Sequence, residues 1–186
     1  MTSLPAAVIA VSGPIGAGKT TVATILATRL GWPQTGYGDL VRTAAADRGF
    51  PPSRRVLQSI GTEMIAAGWD SFTRAVLDRV AWQPGQPLIL DGLRHFQATA
   101  TLRKIVLPLP VEVIFLDVSP MTGLKRARDR DRPAGESSRS SDLRHPVERD
   151  LPAVRRHTAL VLDANRIEPG QLADQIVRHL SGDRHG

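Results

Sequence analysis

Ala7-Val8-Ile9-Ala10-Val11-Ser12-Gly13-Pro14-Ile15-Gly16-Ala17-Gly18-Lys19-Thr20 is the stretch that decides the fold. Ala7–Ser12 is a short, unbroken apolar run that stops at a glycine, as expected of a strand buried on both faces. Residues 13–20 then fit the spacing G-x-x-x-x-G-K-[ST]. Its glycines let the backbone turn so that successive N–H groups point inward and cradle phosphate oxygens. From Lys19 to Leu30, Val22, Ile25, Leu26 and Leu30 recur at helical spacing, so a helix follows and adds its positive end. Gly13, Ile15, Gly16, Ala17, Gly18, Lys19, Thr20 and Thr21 are therefore candidate ligands of a nucleoside triphosphate. Lys19 puts a mobile cation on the β and γ phosphates, and the Thr20 hydroxyl can ligate Mg²⁺.

Working outward, the chain alternates strands with helices. A short strand is expected at 34–37, helices at 38–48 and 53–67, and a breaker between them at Gly49-Phe50-Pro51-Pro52. Asp70 offers a cap for a further helix, with Phe72, Val76, Leu77 and Val80 on one face. Pro87–Asp91 and Val111–Asp117 are continuous apolar runs ending in aspartate, and Leu160–Asp163 is a shorter one before a final helix at 171–180. The pattern predicts one domain over 1–186: a three-layer α/β/α P-loop NTPase fold with a five-stranded parallel sheet and ligands at the strands' carboxyl ends. An acceptor-binding helical region is expected at about 38–82. Residues 130–142 are charged and then serine-rich, with no apolar period, which predicts a helical or flexible lid over about 126–145.

Composition narrows the class. The 186 residues are 41% hydrophobic, with no run long enough for a membrane span and no cysteine for a disulfide or thiolate metal site. No basic, secretory-type leader precedes the first strand, so a cytoplasmic protein is expected. The net charge is +6, and arginine outnumbers lysine 21 to 3. Eight aromatic residues make a poor stacking platform for single strands, so the charge reads as a field for anionic small substrates and not for nucleic acid.

Three further sites carry chemistry. Asp91 ends an apolar run beside the phosphate loop, where a carboxylate can hold Mg²⁺ directly or through water. Asp117 also ends a strand, but Ser119-Pro120 after it reads as a helix start, which favours a structural role. Arg126 with Arg130, and Arg128 with Arg132, are i,i+4 pairs on a helix, and one pair can close on a triphosphate; the spacing leaves open which. Arg126 and Arg130 stand as candidates for nucleotide binding, and Arg128 and Arg132 as catalytic candidates.

The sequence resembles the P-loop nucleoside and nucleotide kinases. Tyr37-Gly38-Asp39-Leu40-Val41-Arg42 looks like their T-G-D-x-x-R segment, and Asp91-Gly92-Leu93-Arg94 like D-G-[FY]-P-R with one residue missing and no proline. The D-G-x-R form, with the helix around Gln58 and Glu63, is closer to deoxynucleoside monophosphate kinases and relatives of dephospho-CoA kinase. The resemblance implies ATP and Mg²⁺ as cofactors and a small-molecule acceptor, in a monomer or homodimer without membrane association. Lys19, Asp39 and Arg94 would be catalytic. Tyr37, Asp39, Arg42, Gln58 and Arg94 would contact the acceptor, and Asn165 would lie on the donor base side. A nucleoside or deoxynucleoside monophosphate is the expected acceptor. A hydroxyl acceptor, with Asp39 as base, stays open, as do a regulatory NTPase and an RNA-associated nucleotide-binding protein.

Overall fold

The run beginning at Val8 is the central strand, β1 (Val8–Ser12), and every one of its five residues is buried. Around it lie β2 (Gln34–Gly36), β3 (Leu88–Leu93), β4 (Val111–Asp117) and β5 (Leu160–Asp163). All neighbours pair in parallel, in the order β2-β3-β1-β4-β5. Their carboxyl ends therefore meet along one edge of the sheet. The chain is described here by a computed structural model, over residues 4–130 and 150–182.

Eight helices join the strands among the described residues: α1 (Lys19–Leu30), α2 (Tyr37–Asp47), α3 (Arg54–Ala66), α4 (Trp69–Asp78), α5 (Phe96–Ile105), α6 (Pro120–Arg130), α7 (Leu151–Arg156) and α8 (Pro169–Leu180). On one face of the sheet, Val41, Ile60, Phe72, Val76 and Leu102 pack under α2–α5 against Val8, Leu88 and Leu90. On the other, Val22 and Leu26 of α1 and Leu172 and Ile176 of α8 pack on Ile9, Val11, Ile89 and Ile114. Alternate residues of β1 thus serve opposite layers, and the continuous apolar run follows from that. Each fully buried Val, Leu or Ile contributes about 1.5–3 kcal/mol. A core of this kind can carry the cost of holding Lys19 and Asp91 at only 7% exposure each.

Local boundaries differ from expectation in instructive places. α4 starts at Trp69 behind Gly68, whose φ of 114° makes the turn, so Asp70 is not the cap; it lies in the first turn and pairs with Arg74 at 2.9 Å. β3 runs two residues past Asp91. Val11 pairs with Asp91 but Ser12 with Leu93, so Gly92 (φ 81°) is an extra residue in β3, a bulge. Ser12 Oγ donates to the Leu93 carbonyl at 2.5 Å and pins the strand beyond it. α5 was not expected from the sequence; of its buried residues Ala98, Thr99 and Leu102, Leu102 alone is a large apolar side chain.

Candidate phosphate and metal site

The phosphate loop joins β1 to α1. Gly13, Gly16 and Gly18 have φ of 139°, 76° and 85°, a backbone that side-chain-bearing residues rarely adopt, so the glycines are required by conformation. Gly18 is the residue before α1, so the amides of the loop and of the first helical turn open toward one point. Lys19 is buried, and its Nζ donates to the Pro14 carbonyl across the loop at 2.7 Å.

Asp91 is the hub. Thr20 Oγ1 donates to Asp91 Oδ2 at 2.6 Å, bringing together the two residues expected to hold a metal. Asp91 Oδ1 is buried and has no hydrogen-bond partner among the described residues. A buried carboxylate oxygen without a donor is costly, and a cation is what such an atom suits. Burial raises the Asp91 carboxyl above its ordinary range; the Thr20 hydrogen bond and the nearby Lys19 and Arg94 oppose that, while the Asp39 carboxylate adds to it. Two carboxylates, a hydroxyl and two cations therefore share one neighbourhood. That donor set fits Mg²⁺, with Thr20 and Asp91 as the protein groups that would hold it.

Asp39 reaches this neighbourhood because α2 starts directly after β2, and β2 is bonded to β3 with Gly36 opposite Asp91. A Cβ on Gly36 would come 2.7 Å from the Asp91 carbonyl oxygen and 3.3 Å from Asp39 Oδ2, so glycine allows the close approach. Arg42 donates to Asp39 Oδ1 at 2.6 Å and is half exposed. Arg94 follows the β3 bulge, half-buried and close enough to Asp91 to act on its charge. Gln58 is half-buried on α3, which packs between α2 and α4.

Tyr37 departs from the expected role. It is buried, its hydroxyl lies 3.0 Å from Thr73 Oγ1, and its ring meets Phe72 and Trp69 edge-on. It packs the floor under the acceptor side and offers no open face to a substrate. Its burial pushes the phenol up to about 12. His95 has a structural place: its Nδ1 lies 2.8 Å from Asp150 Oδ2 and its ring lies against Trp69.

α6 and the loop after β5 carry the residues expected on the nucleotide side. Arg126 donates to the carbonyls of Ala164 (2.7 Å) and Asn165 (3.1 Å), so its guanidinium binds this loop and is turned away from a triphosphate role. Asn165 Oδ1 accepts from the Ser119 amide at 2.8 Å, tying the loop to the start of α6. Asp117 pairs with Arg155 at 3.0 Å, in keeping with a structural role. Arg128 is exposed on α6. Arg132 and the expected lid at 130–142 lie outside the described residues, as does the side chain of Arg130. Gly123 went unread in the sequence; an isolated glycine within a helical pattern is the signal that could have found it.

A family model for AAA domains, AAA_18, matches residues 9–145, from β1 through the whole site. The chain belongs to this AAA-domain family. Its fold and phosphate loop are those of the P-loop nucleotide kinase superfamily. The AAA-domain match is joined by two curated relatives. A UPF0200 protein of Aeropyrum pernix is 32% identical over 101 residues, 52% of this chain and 51% of the relative. A cytidylate kinase of Natronomonas pharaonis is 50% identical over 44 residues, 24% of this chain and 23% of the relative. The chain thus spans about half, or less, of the curated relatives that it matches. Among solved structures, a shikimate kinase from Acinetobacter baumannii superposes with a TM-score of 0.61 at 21% identity, covering 100% of this chain and 97% of the other; that likeness is one of fold. No helix among the described residues is long and apolar enough to cross a membrane.

Proposed function

We propose that the chain transfers the γ-phosphoryl group of ATP·Mg²⁺ to a small acceptor, and that the acceptor is a nucleoside or deoxynucleoside monophosphate. One observation carries the reading: the phosphate loop's Thr20 and the strand-end Asp91 are joined at 2.6 Å, and the second oxygen of Asp91 is buried without a partner. When held at Thr20 and Asp91, Mg²⁺ would supply positive charge that offsets the negative charge developing during transfer. Lys19 and the loop amides bind and orient the triphosphate. Asp91 and Thr20 hold the metal from the protein side. Arg94 faces the acceptor from the end of β3 and offers the fixed cation that an anionic acceptor needs. The sheet edge walls off water behind the loop, which strengthens each of these charges. The cytidylate kinase match and the Gly38-Asp39 and Asp91-Gly92-Leu93-Arg94 segments support the choice of a monophosphate.

A second reading rests on Asp39. Its carboxylate lies close enough to Asp91 to disfavour the latter's charge, so a base stands beside the metal position, where a hydroxyl acceptor would need one. The pairing of Arg42 with Asp39 also leaves Arg42 less suited to be a second acceptor clamp. ADP release measured over a panel of nucleoside monophosphates, nucleosides and dephospho-CoA tests both. The proposal expects turnover with a monophosphate that disappears in Lys19→Ala; turnover confined to uncharged or hydroxyl acceptors would replace it with the second reading. An ADP release that no acceptor accelerates would defeat both.

A further inference from the structure

Gly123 sits in the second turn of α6, and its amide donates to the Ser119 carbonyl at 2.9 Å as in any helix. It is not one of the glycines with positive φ, so its own backbone conformation does not call for glycine. Glycine in a helix interior is unfavourable, and something else must account for it. The account is a contact. A Cβ on Gly123 would lie 2.5 Å from the Ile15 carbonyl oxygen, and a Cβ on Gly16 would lie 2.0 Å from the Gly123 carbonyl oxygen. Real Cβ atoms essentially never approach other atoms closer than 3.0 Å. Here the backbone of α6 and the backbone of the phosphate loop touch directly, glycine on glycine.

The same helix is anchored at two further points. Arg126, three residues on, donates to the carbonyls of Ala164 and Asn165, and the Ser119 amide binds Asn165 Oδ1. The start of the loop is held in the same way, since a Cβ on Gly13 would lie 2.3 Å from the Leu116 carbonyl oxygen at the end of β4. The loop therefore touches β4 at Gly13 and α6 at Ile15 and Gly16, and α6 links it to the loop after β5.

We propose that Gly123 is a positioning residue for nucleotide binding: its missing side chain lets α6 seat against Ile15 and Gly16 and fix the phosphate loop in the form that converges its amides. This rests on the reading of residues 13–20 as the triphosphate site. A methyl group at Gly123 must push α6 and the loop apart by about 0.9 Å to restore an ordinary contact, and cradled phosphates tolerate little displacement of their donors.

The test is ADP binding to the whole chain, measured by titration calorimetry, in wild type, Gly123→Ala and the control Gly170→Ala. Gly170 begins α8 beside Arg29 in the last turn of α1, away from the phosphate loop at that helix's start, and a Cβ there would meet nothing closer than 3.8 Å. Gly123→Ala is expected to lower ADP affinity about ten- to a hundredfold, the range that overpacking by one methyl group produces, with Gly170→Ala unchanged. Wild-type affinity in Gly123→Ala overturns the proposal, and so does a variant whose binding stoichiometry falls while its Kd stays put, which is what a merely structural role gives. A wild-type chain that binds no ADP removes the triphosphate reading and this inference with it. Should Gly123→Ala fail to fold, hydrogen exchange of the wild type decides: ADP must slow residues 119–127 together with 13–20, and protection confined to the loop overturns the coupling.

Discussion

Replacing Thr20 with valine keeps the shape of the side chain and removes one hydroxyl. That hydroxyl donates to Asp91 Oδ2 at 2.6 Å, while Asp91 Oδ1 already has no partner. Thr20→Val therefore removes a hydrogen bond from a carboxylate of 7% exposure whose other oxygen has none among the described residues. A hydrogen bond to a charged group contributes about 1.5–3 kcal/mol net. For a domain of this size each kcal/mol moves the midpoint by about 2–4 °C, so the ligand-free variant should melt roughly 3–12 °C below wild type. The sign of the pH dependence is fixed as well. The Thr20 bond lowers an Asp91 carboxyl that burial has raised, so its removal raises it further. The deficit is present where Asp91 is ionised and shrinks as pH falls through its folded pKa, because the protonated carboxyl no longer needs the donor. The same variant loses a metal ligand. In melts with ADP, wild type should gain a further increment when Mg²⁺ replaces EDTA, and Thr20→Val should keep the ADP increment and lose the Mg²⁺ one. A Thr20→Val protein that melts with wild type and retains the Mg²⁺ increment would refute the assignment of this pair.

Tyr37 is the single tyrosine of the chain, so absorbance at 295 nm reports it alone. The phenol should titrate near 12 in the folded protein and fall to the ordinary value in denaturant. Because the folded state holds the proton more tightly, stability should decline as pH rises from the unfolded value toward 12; a folded titration at the unfolded value would mean that Tyr37 is not buried. Asp39→Asn separates the two acceptor classes. A phosphate acceptor should lose about tenfold or less in turnover, whereas loss of a general base costs on the order of 10²–10⁴-fold, so a thousandfold fall with acceptor affinity intact would select the hydroxyl reading. Arg94→Ala should lower acceptor kcat/KM by about ten- to a hundredfold with ATP affinity nearly unchanged, while Arg42→Ala, exposed and bound to Asp39, should cost less. Equal effects of the two on acceptor kcat/KM would return Arg42 to the clamp.

The phosphate loop was legible in the sequence because its chemistry is local. Gly13–Thr20 needs only its own glycines, the lysine and the hydroxyl, and the flanking apolar run and helical period state the strand and the helix around it. β1, β3 and β4 were equally readable, since burial on both faces leaves a continuous apolar signature that does not depend on the strand's partners, whereas β2 (Gln34–Gly36) and the half-exposed β5 carry a weaker one. Asp91 was found by the same rule, as the aspartate that ends such a run. What the sequence could not express is the meeting of distant backbones. The order β2-β3-β1-β4-β5 puts Gly36 opposite Asp91 and so brings Asp39 close to Asp91. Tyr37, one residue from the site in sequence, is turned into the core by Thr73 and Phe72 of α4, which a local reading cannot anticipate. Arg126 has the composition of a phosphate ligand, yet the carbonyls of Ala164 and Asn165, 38 and 39 residues away, take its donors. Gly123 has no local reason to be glycine at all; only the packing of α6 on the loop supplies one, because steric exclusion between two main chains acts wherever the fold brings them together.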